Sequence, residues 1–188
     1  MTEPEHLGGW EYNGNSDVPW LWDWLIEKFH PSSMIDIGCG RGLAAAHFLD
    51  CRVDAWGVDG SELARAAAVL PGDRFLIHDF TKGPFSTPLV FDLAWSCEFV
   101  EHVDEEFVAN VLAALELGSV IAMTHALPHQ TAGHHHTNLK LPCYWIEKIE
   151  AQGFKLDMAL TEESRRLRPD LTECYWNWSG LIFERVRP

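Results

Sequence analysis

Met34-Ile35-Asp36-Ile37-Gly38-Cys39-Gly40-Arg41-Gly42 is the stretch that decides the fold. Apolar residues lead into an acid, and glycine then recurs at every second position. The alanine-rich run Leu43 to Leu49 follows. This order reads as strand, tight glycine turn, helix. Glycine has no Cβ and tolerates φ > 0, so such a turn lets the backbone come close to a ligand. The helix beyond it aims free N–H groups and a positive dipole end at the same place. A structural turn without a ligand would read the same way here, so the flanking segments must separate the two.

On the C-terminal side, strand-like and helix-like segments alternate. Val53 to Val58 reads as a second strand ending in Asp59-Gly60-Ser61, with Ser61 as cap of a helix Glu62 to Leu70. Arg74 to Ile77 is a short third strand ending in His78-Asp79-Phe80, followed by a loop in place of a helix. Leu89 to Trp95 is a fourth strand leading into Ser96-Cys97-Glu98. Asp104 is the expected cap of a helix Glu105 to Leu117, which Gly118 stops. Val120 to Thr124 is a fifth strand running into His125, and Pro142 to Gln152 a helix ended by Gly153. Phe154 to Leu160 and Gly180 to Val186 complete a set of seven strands, with a polar stretch holding Trp176 and Trp178 between them. The alternation predicts an α/β fold with a parallel sheet covered on both faces.

On the N-terminal side, Met1 to Asn15 reads as an irregular arm. Ser16 is the expected N-cap of a helix with Asp17 and Pro19 in its first turn. Trp20, Leu21, Trp24, Leu25 and Phe29 recur at helical spacing, which marks a packed face, and Pro31 ends the run. Trp10 and Tyr12 stand outside that periodicity and are candidates for a lid. The whole chain, 1–188, reads as one domain, with 1–33 as arm and helix and 34–188 as core.

Bulk properties narrow the partners. A formal net charge of −14 repels phosphate backbones and anionic membranes, and no basic run offsets it. Nucleic acid and membrane are therefore not expected as partners. No apolar run is long enough for a membrane span. The five cysteines form no C-x-x-C pair, and no signal-peptide pattern is visible, so they read as reduced thiols of a cytoplasmic protein.

In open α/β sheets ligands bind beyond the carboxyl ends of the strands. The glycine turn, Asp59, Asp79, Ser96 and His125 all fall at such ends. An acid roughly 20 residues past a glycine turn suits a ribose with two free hydroxyls. A nicotinamide oxidoreductase is one candidate on that ground, but the turn is G-x-G-x-G and not G-x-G-x-x-G.

With these motifs in order, the chain resembles the class I S-adenosylmethionine-dependent methyltransferases. The resemblance rests on Asp36 to Gly42, Gly57-Val58-Asp59, His78-Asp79-Phe80 and the run Phe91 to Val103, and it covers roughly Ile35 to Val186. It implies a Rossmann-like, doubly wound, seven-stranded and mostly parallel sheet with the last strand antiparallel. It implies S-adenosylmethionine as cofactor, with Asp36, Gly38 and Gly40, and Cys39 in the same turn, around the methionine end. Asp59 would hold the ribose hydroxyls and Asp79 the adenine amine. Gly60, Ser61, His78 and Phe80 would line the ring, and Ser96 and Cys97 would pass the methionine moiety. The sulfonium is a cation, which acidic and aromatic surroundings stabilise. Methyl transfer itself needs mainly positioning.

The chain departs from the amino-methylating members that act on DNA bases, since no Asn/Asp-Pro-Pro-Tyr follows the fourth strand. Its loop His134-His135-His136-Thr137-Asn138 is similar to a His-x-His-x-Asn loop of small, often phage-encoded members. His134, His135 and Asn138, with Trp10 and Tyr12, are the candidate acceptor-binding residues. His102, His125 and His136 are the candidate bases, because histidine can take a proton near neutral pH. The expected acceptor is a small molecule methylated on oxygen. Adjacent histidines do not converge easily on one ion, and no acid lies among them, so no metal is expected. A cofactor-binding module without transfer activity is the rival reading from another class.

Overall fold

In the computed structural model, residues 3–11 and 14–186 are described. Seven strands form one sheet in the order β3-β2-β1-β4-β5-β7-β6. They are β1 (Ser33–Ile37), β2 (Asp54–Asp59), β3 (Phe75–Ile77), β4 (Phe91–Ser96), β5 (Gly118–Met123), β6 (Phe154–Leu156) and β7 (Leu181–Arg185). The first five pair in parallel, and β7 runs antiparallel between β5 and β6. This is the mostly parallel, seven-stranded, Rossmann-like sheet that the sequence led us to expect.

Side chains alternate across a strand, so each strand feeds two cores. Met34, Ala55, Leu93, Trp95, Ala122 and Ile182 face one side. There they meet Leu21, Trp22 and Leu25 of helix α1 (Pro19–Phe29) and Phe48 of α2 (Leu43–Asp50). Ile35, Ile37, Val58, Ala94, Ile121 and Phe183 face the other. There they meet Val111, Leu112 and Leu115 of α4 (Val108–Leu115) and Trp145 and Ile149 of α5 (Pro142–Glu150). The remaining helices are α3 (Glu62–Ala66), α6 (Met158–Arg165) and α7 (Tyr175–Ser179).

Several boundaries differ from the sequence reading. Ser16 does not cap α1, which starts at Pro19 behind Val18; proline supplies the helical φ and needs no N–H partner there. In α1 the deeply buried tryptophan is Trp22, while Trp20 and Trp24 are only half-buried. α3 stops at Ala66, because the chain turns back and Val69 N donates to Arg41 O at 3.0 Å. Asp104 caps nothing with its side chain; Phe107 N bonds its carbonyl at 2.8 Å, and a 3₁₀ turn Glu105–Phe107 precedes α4. Gly118 opens β5 opposite Phe91, where a Cβ would lie 2.5 Å from Ala94 N, so strand packing requires the glycine. The expected strand Phe154 to Leu160 is cut at Leu156. The Asp157 carboxylate accepts from Leu160 N at 2.8 Å and starts α6. The polar stretch after it holds α7.

One aromatic stack ties α7 to the sheet. Trp176 is 1% exposed and stacks on Trp95 of β4 at 5.4 Å and 22°. Trp22 meets the same Trp95 edge-on at 6.3 Å and 89°. The Trp176 indole N–H also donates to Ser164 Oγ at 3.1 Å. Trp176→Ala is expected to lower the unfolding free energy by about 3–5 kcal/mol, the range for a buried tryptophan truncated to alanine. Urea unfolding followed by circular dichroism measures it, and a loss under about 1 kcal/mol would contradict this packing.

Candidate functional site

The glycine turn leaves β1 at the point where the strand order reverses between β1 and β4, the usual ligand crevice of an open sheet. Gly38, Gly40 and Gly42 all have positive φ, at 69°, 51° and 75°. A Cβ at Gly38 would run into the Phe99 ring, and one at Gly42 would lie 2.7 Å from Leu70 Cβ. Any other residue here would be both strained and obstructed.

The turn is fastened by the acid of the second strand. Asp59 accepts from Gly40 N at 2.8 Å and from Ser61 N at 2.9 Å. Burial pushes its carboxyl up to about 6, against the pull of these amides. Asp36 lies behind the turn at 4% exposure. Burial pushes it up to about 8, opposed by a backbone bond from Ala45 and helped by the charge of Asp59. Burial likewise raises the Cys39 and Cys97 thiols, which disfavours the nucleophilic thiolate.

Two connected hollows lie over this edge. The smaller, about 70 Å³, is lined by Asp59, Gly60, His78, Asp79 and Phe80. The N-terminal arm roofs it. Glu3 accepts from Ser61 Oγ at 2.6 Å and from Leu63 N at 3.0 Å. His6 Nε2 sits 3.3 Å from an Asp79 oxygen, and a Cβ on Gly60 would lie 2.5 Å from Leu7. Burial alone would raise the Asp79 carboxyl. The Thr81 hydroxyl and amide, and then His6, outweigh it and hold the group below its ordinary value.

The larger hollow, about 590 Å³, is lined by Asp36, Cys39, Trp95, Cys97, Glu98, His102 and His136. Trp10, Gly38 and Gly40 border both hollows. The histidine loop closes its far side and meets the arm, since His134 Nε2 donates to Glu5 O at 2.7 Å. His102 Nδ1 bonds His134 O and His136 Nδ1 bonds Gln130 O, each at 2.6 Å. Burial, then the neighbouring His136, pushes His102 down to about 4.

The candidates thus divide. Asp36, Gly38, Cys39, Gly40, Asp59, Gly60, His78, Asp79, Phe80, Cys97, Trp10, His102, His134 and His136 all border the two hollows. Ser96 and Ser61 do not. Ser96 is buried and donates to Ile37 O at 2.9 Å, joining β4 to β1, while Ser61 caps α3 through Ala64 N at 2.8 Å. His125 is 0% exposed beside Trp145, with its Nδ1 3.3 Å from Ala126 O, and burial lowers it to about 4. Asn138 is buried and His135 packs near His6; neither borders the hollows described. Tyr12 lies outside the described residues. Sequence reasoning passed over Glu98 and Glu101. Burial pushes Glu98 up to about 7, and Glu101 rises well above its usual range from burial and then the charge of Glu98. The visible signal was Glu-x-x-Glu-His directly after a strand end. It also missed the arm residues Glu3, His6 and Leu7, which carry no pattern of their own.

Fold and crevice together define a class I, Rossmann-like methyltransferase architecture. Residues 35–123, from β1 to the end of β5, match the family described as "Methyltransferase domain". Among solved structures, the chain is similar to the sugar N-methyltransferase KedS8 from Streptoalloteichus. That match has 17% identity, covers 94% of this chain and 89% of that one, and has a TM-score of 0.67. It is similar to S-adenosylmethionine-bound CalS10, an amino pentose methyltransferase from Micromonospora echinaspora, at 13% identity, 95% and 94% coverage and TM-score 0.68. It also resembles the [4+2]-cyclase SpnF, at 18% identity, 97% and 87% coverage and TM-score 0.61. No curated protein matches by sequence. Among the described residues no helix is long and apolar enough to cross a membrane.

A protonated Asp36 must ionise to meet a cationic ligand, and Asp59 shares the tendency. S-adenosylmethionine affinity is therefore expected to rise from pH 6 towards pH 8, as ligand binding displaces a proton from carboxyls held near about 8 and about 6. The limit is about tenfold per pH unit for each proton released. Calorimetry in buffers of different ionisation enthalpy reads the released proton; affinity flat across this range would contradict the raised carboxyls.

Proposed function

We propose that the protein transfers the methyl group of S-adenosylmethionine to an oxygen atom of a small-molecule acceptor held between the arm and the histidine loop. The chain 1–188 acts here as one domain, with 1–33 as arm and helix and 34–188 as core. The observation that carries the reading is the pairing of a glycine turn fastened to Asp59 with a separate hollow of about 590 Å³ opening from the same turn. The turn and the smaller hollow suit the nucleoside end of a donor, and the larger hollow suits its methionine end with room beyond for a small second reactant. Methyl transfer needs both held in line.

Several features support the details. A net charge of −14 disfavours polyanionic acceptors. Trp10, Trp95 and Trp178 give the larger hollow aromatic walls, which suit a sulfonium and an organic acceptor. KedS8 bears an N-methyltransferase name, so the choice of oxygen does not come from the likeness of fold. It comes from Glu98, His102 and His136, three of the polar groups that line the larger hollow. A hydroxyl must lose its proton during transfer, and these groups are placed to bring that about. His125, sealed beside Trp145, is not suited to the role.

The test is an acceptor screen with methyl-labelled cofactor, spanning hydroxylated and amino metabolites, nucleic acid and protein. The expected result is an O-methylated small product. His136→Ala should lower turnover by about 10²–10⁴-fold with cofactor affinity unchanged, while His125→Ala should leave turnover near wild type. Labelling confined to nitrogen, or to RNA, DNA or protein, would overturn the acceptor class. SpnF shows that this fold also carries a cyclase, and absence of any methylated product would return the reading to a binding module.

A further inference from the structure

The histidine loop is docked on the turn after β4 by its backbone. The amides of Thr137 and Asn138 both donate to Glu101 O, at 3.1 and 3.0 Å. This brings His136 to the Glu101–His102 pair. One carboxylate oxygen of Glu101 and one ring nitrogen each of His102 and His136 lie within 4.8 Å of one another. The two imidazole rings are 5.0 Å apart between centroids.

Glu101 is 0% exposed, and neither of its carboxylate oxygens has a hydrogen-bond partner of good geometry; the amides of Glu101 and Ala126 are near enough to favour its charge but do not outweigh its burial. A buried carboxylate without a partner is costly, and a paired cation is the usual remedy. Glu98 Oε1 is also buried without a partner. Glu98 stands at φ 50°, in the left-handed region that a non-glycine residue rarely adopts. The histidines show the complementary pattern. Each commits Nδ1 to a backbone carbonyl at 2.6 Å, so the lone pair is on Nε2. Metal-bound histidines are oriented by this same arrangement, in which the other ring nitrogen donates to a carbonyl or carboxylate.

We propose that Glu101, His102 and His136 bind a divalent transition-metal ion at the acceptor end of the cleft, with Glu98 as an adjacent donor. Two imidazoles with carboxylates suit zinc, cobalt, manganese or iron(II) better than magnesium or calcium, which favour all-oxygen sites. Three protein ligands leave positions open for an exchangeable oxygen ligand. The histidine loop by itself lacks an acid, which is why its sequence argues against a metal; the fold supplies the acid from the end of β4. A second group of potential ligands among the described residues, Asp23, His47 and Cys51, has its acid and thiol exposed, and its His47 is already paired with Asp23 at 2.8 Å.

The role of the ion rests on the oxygen-methylation reading; its binding does not. The acceptor hydroxyl takes an open position, and the ion acts as a Lewis acid that lowers the hydroxyl pKa. The O–H proton leaves to water. An oxygen lone pair then forms the bond to the methyl carbon, and the C–S bond breaks with its pair retained on sulfur. The cofactor departs as a neutral thioether, and nothing is oxidised or reduced.

The test uses the full chain after chelator treatment. Cobalt(II) titration should give visible d–d bands that saturate at one ion per chain. Calorimetry should show zinc binding at least roughly 100-fold more tightly than magnesium. Glu101→Gln and His136→Ala should each weaken cobalt binding by roughly 100-fold or more, while S-adenosylmethionine affinity confirms that each variant is folded. His47→Ala should leave cobalt binding unchanged. Wild-type protein without saturable 1:1 binding, or variants at Glu101 and His136 that bind as wild type does, would overturn the proposal. Oxygen methylation undiminished in metal-free protein would remove the catalytic role and leave the oxygen reading standing. One bound ion with products methylated only on nitrogen would keep the site and remove the oxygen reading.

Discussion

Everything at this crevice depends on a backbone that must come close. Gly38, Gly40 and Gly42 turn the chain through positive φ in five residues, in a space closed by Phe99, Trp10 and Leu70. The turn is not held by its own side chains, since it has few. It is held by Val58 O, which accepts from Gly38 N and Cys39 N at 2.9 and 3.1 Å, and by Asp59, which accepts from Gly40 N. The end of β2 therefore sets the shape of the turn after β1. A residue that reads as a ribose ligand is at the same time the clamp on the methionine side. The ends of β1 and β2 are in this way mechanically one unit.

The electrostatics follow from that geometry. Burial raises both Asp36 and Asp59; the charge of Asp59 adds to the shift of Asp36, and that of Glu3 to the shift of Asp59. Without a cation they are reluctant anions. A ligand carrying a sulfonium and an ammonium relieves the conflict, whereas a neutral or anionic ligand would not. Glu98 and Glu101 repeat the same theme one strand further along the sheet, again as acids that burial disfavours. The carboxyl edge of this sheet thus carries two pairs of acids whose charge burial disfavours.

Much of this was legible in the sequence because its signals are local. The Gly38–Gly42 turn, Asp59, the His78-Asp79-Phe80 end and the seven strands are each encoded within a few consecutive residues. What was not legible depends on juxtaposition. Glu101 is unremarkable until Thr137 and Asn138 bond its carbonyl and carry His136 to its side. Ser96 looked like a ligand contact because it ends a strand, yet its hydroxyl turns back to Ile37 O. His125 ends a strand too, but the core beside Trp145 takes its ring. Strand ends reveal where a residue sits and not which way its side chain goes. Helix starts misread for a related reason: at Ser16 and Asp104 a capping residue type was present, but backbone or proline geometry set the first turn.

The central claim is that this crevice binds S-adenosylmethionine through the Asp59-clamped turn. Isothermal calorimetry on purified protein tests it most directly, comparing S-adenosylmethionine, its demethylated product and NAD against wild type and Asp59→Ala. The account predicts 1:1 binding of both S-adenosyl ligands, none of NAD, and a loss of about 1.5–3 kcal/mol in Asp59→Ala, the range for hydrogen bonds to a charged group. Tight NAD binding without any S-adenosyl ligand, or an Asp59→Ala affinity equal to wild type, would contradict it.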